Sequence, residues 1–147
     1  METIIDKSKE LSVSLDLLNA RLHFSGQVGK NQSLSIDYFP PLGDNLGYTS
    51  LELLLLSLSS CVGSSVLVFL RKMNKTIGGL HIRANGIRKT EHPTGFSTIR
   101  LELKLQSPDT TPQELEKVIR LSEETYCPVW SMLKGNVQMT IPDKVGQ

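Results

Sequence analysis

Cys61 and Cys127 are the side chains best suited to reversible chemistry in this chain. A thiolate attacks electrophiles, and two thiols that meet can be closed to a disulfide and opened again. Cys61 lies inside the long apolar run LELLLLSLSSCVGSSVLVFL, residues 51–70. Cys127 follows 66 residues later in ETYCPVW, directly before a proline. Each is alone in its segment, so neither belongs to a CxxC pair or a short metal-binding motif. If the fold joins them they form a redox-active dithiol. If it does not, they are two small buried apolar residues.

The rest of the chain bounds the setting. At 147 residues it is most simply one domain, spanning 1–147, and its 39% apolar content suffices for a core. Sixteen basic against fifteen acidic residues leave a net charge of +1. The basic residues are dispersed, without a stripe interleaved with aromatics, which argues against nucleic acid as a partner. The start METIIDKSKELSVSL has early acids and no apolar h-region, so no signal peptide is expected and the expected location is the cytoplasm. There a disulfide is more often catalytic or sensory than structural. Residues 51–70 have the length of a membrane span, but Glu52 and five serines interrupt them. The expectation is therefore no membrane, but a helix wrapped on most sides by protein, partly by a second subunit.

The elements that must position the cysteines follow from periodicity. Leu11, Val13, Leu15 and Leu17 alternate, predicting a half-buried strand over 11–18. Leu22 and Phe24 continue a second strand to Gly26, and Leu34, Ile36 and Tyr38 mark a third. PPLGDNLG, 40–47, reads as a turn-rich surface connection. A helix then starts at Thr49 or Ser50, either of which can cap it, with Glu52 in the dipole-favoured first turn. It runs to about Met73. Residues 80–90 and 96–105 alternate around HPTG, predicting a hairpin. Thr111-Pro112 opens an amphipathic helix over 112–125, with Leu115, Val118, Ile119 and Ser122 along one stripe. A short helix, 128–134, and a last strand at Val137, Met139 and Ile141 complete an α+β domain of order βββ-α-ββ-αα-β. Ser60, Gly63 and Ser64, close to Cys61, either admit another backbone or relieve crowding within the chain.

A central helix x-E-L-L-L-x-S-L-S-S-C, a hairpin, and a helix ending L-S-E-E-T-Y-C-P-V-x-x-M-L resemble the OsmC/Ohr family of osmotically inducible and organic hydroperoxide resistance proteins. The resemblance covers about residues 12–142 in element order as well as motif. It implies an intertwined homodimer, with two six-stranded sheets enclosing the two central helices and the sites at the subunit interface. It also implies roles. Cys61 attacks the O–O bond of an organic hydroperoxide and becomes a sulfenic acid, Cys127 condenses with it to a disulfide, and an external dithiol reductant resets the pair.

In the family's peroxidases an arginine from the N-terminal half and a glutamate activate the first cysteine. Arg21, on the predicted second strand, is the one arginine available before the helix. The glutamate sits ten residues before the cysteine in the peroxidases, where this chain has Leu51, and Glu52 follows one position later. At about 100° per residue, nine positions put Glu52 roughly opposite Cys61 on the helix. The shifted pattern resembles another OsmC-like branch. Pro128 at a first helical position makes Cys127 a helix cap, which by local reasoning makes it the more acidic thiol, whereas the family assigns first attack to Cys61.

His23, His81 and His92 share no ligand spacing with the cysteines, so no metal is expected, nor any other cofactor. Trp130, Met132, Phe69 and Met73 are candidates to line an apolar pocket. The expected function is thiol-dependent reduction of organic hydroperoxides, with Cys61, Cys127, Arg21 and Glu52 as site residues. The alternative is a non-catalytic dimer that binds an apolar small molecule or partner at the same interface.

Overall fold

The computed structural model describes residues 8–146, with side chains through residue 142. Its elements run in the expected order: β1 (Ser14–Leu17), β2 (Phe24–Gln27), β3 (Leu34–Ile36), α1 (Ser50–Lys72), β4 (Gly79–Arg88), β5 (Phe96–Gln106), α2 (Pro112–Leu121), a π-helical turn (Ser122–Tyr126), α3 (Pro128–Leu133) and β6 (Gln138–Gly146). The chain divides into two compact units, Met1–Leu53 and Leu54–Gln147.

In the first unit β1, β2 and β3 form an antiparallel sheet in that order. β1 is shorter than the alternating run suggested, and it is not half-buried. Leu11, Val13, Leu15 and Leu17 are all exposed, because among the described residues of this unit nothing covers either face of the edge strand. The connection after β3 is organised by an acid. Asp37 has 0% exposure. Its carboxylate accepts hydrogen bonds from the backbone N–H groups of Tyr38 (2.7 Å), Asp44 (3.2 Å) and Leu46 (3.2 Å). Asp37 N–H donates to the Tyr48 carbonyl and Tyr48 N–H to the Ser35 carbonyl, both at 3.0 Å. The loop is thus folded back beside β3.

In the second unit β5 is central, antiparallel to β4 and parallel to β6. A parallel neighbour requires a crossover, and α2, the π-turn and α3 supply it. Phe96, Ile99, Leu101, Leu103 and Leu105 are buried along β5, so period-2 burial makes this strand the floor of the core. α2 lies against β6 and buries Leu115, Val118 and Ile119. Its start is a full capping box, with Thr111 and Glu114 bonded reciprocally and Pro112 in the first turn.

α1 is long and apolar enough to cross a membrane. Within its unit it buries one stripe, Leu58, Val62, Gly63, Val66 and Leu70. Gly63 faces β4: a Cβ there would stand 3.1 Å from Ile82 and 3.4 Å from Leu80. The glycine therefore relieves crowding inside the chain, while Ser60 and Ser64 are exposed. The helix is not wrapped on most sides by this chain: Leu56 and Ser57 are exposed as well.

The predicted helix over 112–125 is also revised. The α-helix ends at Leu121, and Ser122–Tyr126 widens by one residue into a π-turn closed by Cys127 N–H to the Ser122 carbonyl at 2.9 Å. Pro128 explains the break. It cannot donate a backbone hydrogen bond and it pushes the residue before it out of the α region. Cys127 has φ −88° and ψ 105°.

Candidate functional site: a thiol pair at the start of a helix

Cys127 caps α3. Its sulfur accepts a hydrogen bond from the Trp130 backbone N–H at 3.3 Å. Pro128 occupies the first helical position, as the cap reading of the sequence requires. The side chain is 2% exposed. Cys61, on α1, is half-buried, and both cysteines are free thiols.

The fold brings the two together. Cys61 stands close enough to Cys127, across 66 residues of sequence, to disfavour its thiolate. This corrects the local argument about acidity. Burial, first, and then the neighbouring Cys61 push the Cys127 thiol up to about 12, against the opposing pull of the Trp130 and Val129 N–H groups. A helix N-terminus favours a thiolate. Here, however, α3 spans only six residues, and desolvation outweighs its few N–H dipoles. Cys127 therefore keeps its proton.

The surroundings are apolar and aromatic. Trp130 is buried beneath its own cap. Phe69 on α1 packs against Tyr126, the residue before Cys127, with ring centroids 4.6 Å apart and planes inclined by 56°. That pair ties the two cysteine-bearing segments together and was not anticipated from sequence. A tilted aromatic pair of this kind contributes about 0.5–1.5 kcal/mol beyond area burial. Further along, Lys75 Nζ meets Glu114 Oε2 at 2.9 Å. Thr76 N–H donates to Asp109 at 2.9 Å, fixing the exit of α1 to the entry of α2. Met132 is exposed and Met73 half-buried.

Glu52 closes a capping box with Thr49. Its Oε1 accepts from the Thr49 backbone N–H at 2.9 Å and from the Thr49 hydroxyl at 3.0 Å, and Thr49 Oγ1 accepts from Glu52 N–H at 3.3 Å. This is the first-turn role that the helix dipole favours. Arg21 lies in the turn before β2, not on the strand. Its guanidinium donates to Asp44 Oδ1 and to the Pro41 carbonyl, and its backbone N–H donates to Asn19 Oδ1 at 2.9 Å. It is thereby fixed to the 40–47 loop of its own unit.

Two residues of interest escaped sequence reasoning. Asp37 holds the 40–47 loop, and the signal was an acid followed at once by a proline, glycine and asparagine cluster. Ser122 begins the π-turn, and its hydroxyl is buried without a hydrogen-bond partner. The signal there was a polar residue on the buried stripe of α2. Among the described residues no group of three His, Cys, Asp or Glu side chains could hold a metal ion.

Comparison with known proteins agrees with this architecture. A hypothetical protein from Aquifex aeolicus superposes with a TM-score of 0.83 at 24% identity, covering 95% of this chain and 98% of that one. An OsmC-like protein from Mycoplasma pneumoniae gives 0.76 at 21% identity, covering 95% and 96%. An organic hydroperoxide resistance protein from Elizabethkingia anophelis gives 0.71 at 16%, covering 97% and 100%. At these identities the likeness is one of fold. No curated protein matches the chain. The family model for OsmC-like proteins matches residues 43–142, well over half the chain, including both cysteines, and this protein belongs to that family.

Proposed function

We propose that this protein reduces organic hydroperoxides through a two-cysteine cycle in which Cys61 attacks and Cys127 resolves. The observation that carries the reading is the approach of two free thiols 66 residues apart in sequence, close enough for Cys61 to disfavour the Cys127 thiolate. In the first step the Cys61 thiolate attacks one oxygen of ROOH. An S–O bond forms, the O–O bond breaks, and the alkoxide takes a proton and leaves as alcohol. Cys61 is oxidised by two electrons to sulfenic acid. In the second step the Cys127 sulfur attacks the Cys61 sulfur. The S–S bond forms, the S–O bond breaks, and the Cys127 proton leaves with hydroxide as water. An external dithiol then reduces the disulfide by exchange.

The order of attack follows from the proton. Cys127 is held protonated by burial and by the neighbouring Cys61, which suits a resolving thiol more than a first nucleophile. Glu52 belongs to the start of α1, where Thr49 engages it, and Arg21, the activating cation that the resemblance implies, is engaged here by Asp44 and the Pro41 carbonyl. The aromatic surroundings, Phe69, Tyr126 and Trp130, favour an apolar R group.

We further propose that the working form is a homodimer. A monomer leaves Leu11, Val13, Leu15 and Leu17 in water, together with the outer face of α1. Exposed apolar faces of this kind mark association surfaces.

A second reading, a non-catalytic dimer that binds an apolar ligand or partner, is favoured by one observation. Leu51 stands where the peroxidases carry their glutamate, and Glu52 is committed to Thr49. The two readings separate in one assay. Protein with dithiothreitol should consume cumene or tert-butyl hydroperoxide, and Cys61→Ser should abolish this. Consumption no faster than the protein-free rate would establish the second reading.

A further inference from the structure

We propose that the outer face of the β4–β5 pair carries a binding site for the phosphate group of a small organic molecule, held by His81, Lys104 and Gln106 over the bare backbone of Gly79. The site is separate from the thiols and stands whether or not the peroxidase reading does.

The strand register builds it. β4 and β5 pair antiparallel, with His81 directly across from Lys104 and Gly79 directly across from Gln106. Side chains alternate between the two faces of a strand. Leu103 and Leu105 are buried in the core, so Lys104 and Gln106 point the other way, and His81, Lys104 and Gln106 are all exposed. One corner of this square, Gly79, has no side chain. The gap belongs to a cavity of about 320 Å³, open to solvent and lined by Gly79, Leu80, His81, Lys104 and Gln106. The Gln106 amide leans over the glycine: a Cβ at Gly79 would stand 3.0 Å from Gln106 Oε1.

The side chains around this gap are rich in donors. The Lys104 ammonium only donates, the His81 ring carries an N–H in either tautomer, and the Gln106 amide adds its NH2. Among the described residues none of these three side chains has a hydrogen bond or ion pair within the chain. Nor does the ladder answer the lysine with an acid. The acid of β5, Glu102, stands across from Arg83, and Lys104 faces His81. Like charges directly opposite are unfavourable in a sheet, so a charged imidazole and the ammonium repel until an anion lies between them. Donors arriving from three separate side chains suit a tetrahedral anion. A carboxylate is better matched by the planar fork of an arginine, whereas lysine meets phosphate as a point charge. The cavity also has the size of a small-molecule site, with room for an organic group beside the phosphate.

The test is an amide NMR titration of the full chain with phenyl phosphate at constant ionic strength, with inorganic phosphate, phenol and sodium chloride as parallel probes. The expected result is saturable one-to-one shifts at Gly79, His81 and Lys104 with phenyl phosphate. Inorganic phosphate should move the same amides more weakly, and phenol and chloride should not move them. Lys104→Ala and His81→Ala should each weaken phenyl phosphate binding about tenfold, the loss of one charge-assisted hydrogen bond. Lys104→Arg, which keeps the charge, should lose less. All three positions are exposed, so the rest of the spectrum should be unchanged and should report an intact fold. Shifts that do not saturate, or that chloride reproduces, mean diffuse attraction to surface cations and overturn the proposal. Equal binding of phenol, or wild-type affinity in both alanine variants, overturns it as well.

Discussion

The Cys127 sulfur accepts the Trp130 N–H at 3.3 Å, while the neighbouring Cys61 disfavours its thiolate. The two contacts pull in opposite directions on the proton, and burial decides for retention. Alkylation should show it. Iodoacetamide at neutral pH is expected to modify Cys61 well before Cys127 in native protein, with peptide mass mapping as the readout. Preferential labelling of Cys127 would reverse the proposed order of attack.

The same shift makes a pH prediction with a definite sign. The folded Cys127 thiol titrates near 12 against an ordinary value of 9.0. Between those values the folded chain holds a proton that the unfolded chain has released, so stability falls as pH rises. The contribution is intact below about pH 9 and is lost on approach to pH 12. Urea unfolding at several alkaline pH values should show this fall in wild type and a shallower one in Cys127→Ala.

Thr49 and Glu52 test whether the acid of α1 serves structure or chemistry. Thr49→Ala should lose about 1 kcal/mol in urea unfolding, the usual worth of an N-cap. Glu52→Gln keeps an acceptor for Thr49 and should leave hydroperoxide turnover within about threefold, since a general acid or base would contribute far more. A loss of a hundredfold or more would return Glu52 to the reacting centre.

The order of elements was legible because periodicity changes cleanly along the chain: 2 in β4 and β5, near 3.6 in α2, with Pro112 and Pro128 at first helical positions. The cysteines were legible as candidates, but their meeting was implied only by the family resemblance, since no local rule links residues in α1 and before α3. The acidity of Cys127 was misjudged for a related reason. The N–H groups that favour a thiolate are local and visible in Cys127-Pro128, whereas the burial that opposes them is tertiary. Strand β1 failed differently. Its alternation is real, yet among the described residues both faces are open, because alternation reports the need for a cover and not where the cover comes from. The π-turn was invisible, since one extra residue in a turn leaves no mark on a stripe already read to Ser122.

Gly86 and Phe96 offer a packing test remote from the thiols. A Cβ at Gly86 would lie 2.4 Å from the Phe96 ring, which covers the glycine across strands β4 and β5. Gly86→Ala is expected to cost about 1–3 kcal/mol in urea unfolding, the range for overpacking. Phe96→Leu should make the alanine less costly, so the two substitutions together should lose less than the sum of their separate losses. Strict additivity would mean that the ring swings away freely.

The exposed face of β1 gives the sharpest test of assembly. Leu15 and Leu17 are each more than half exposed in the single chain. In a monomer, lysines there should change stability by less than about 0.5 kcal/mol, as for most surface positions. In a dimer that buries them, two unpaired charges per copy would enter an apolar interface at a cost that association cannot absorb. Sedimentation of wild type is expected to give a dimer, and Leu15→Lys with Leu17→Lys a monomer. Hydroperoxide turnover should fall in parallel, since the proposed working form is the pair. A variant that still sediments as a dimer would show that β1 faces solvent in the assembly and that the second copy docks elsewhere, the outer face of α1 being one other exposed apolar surface.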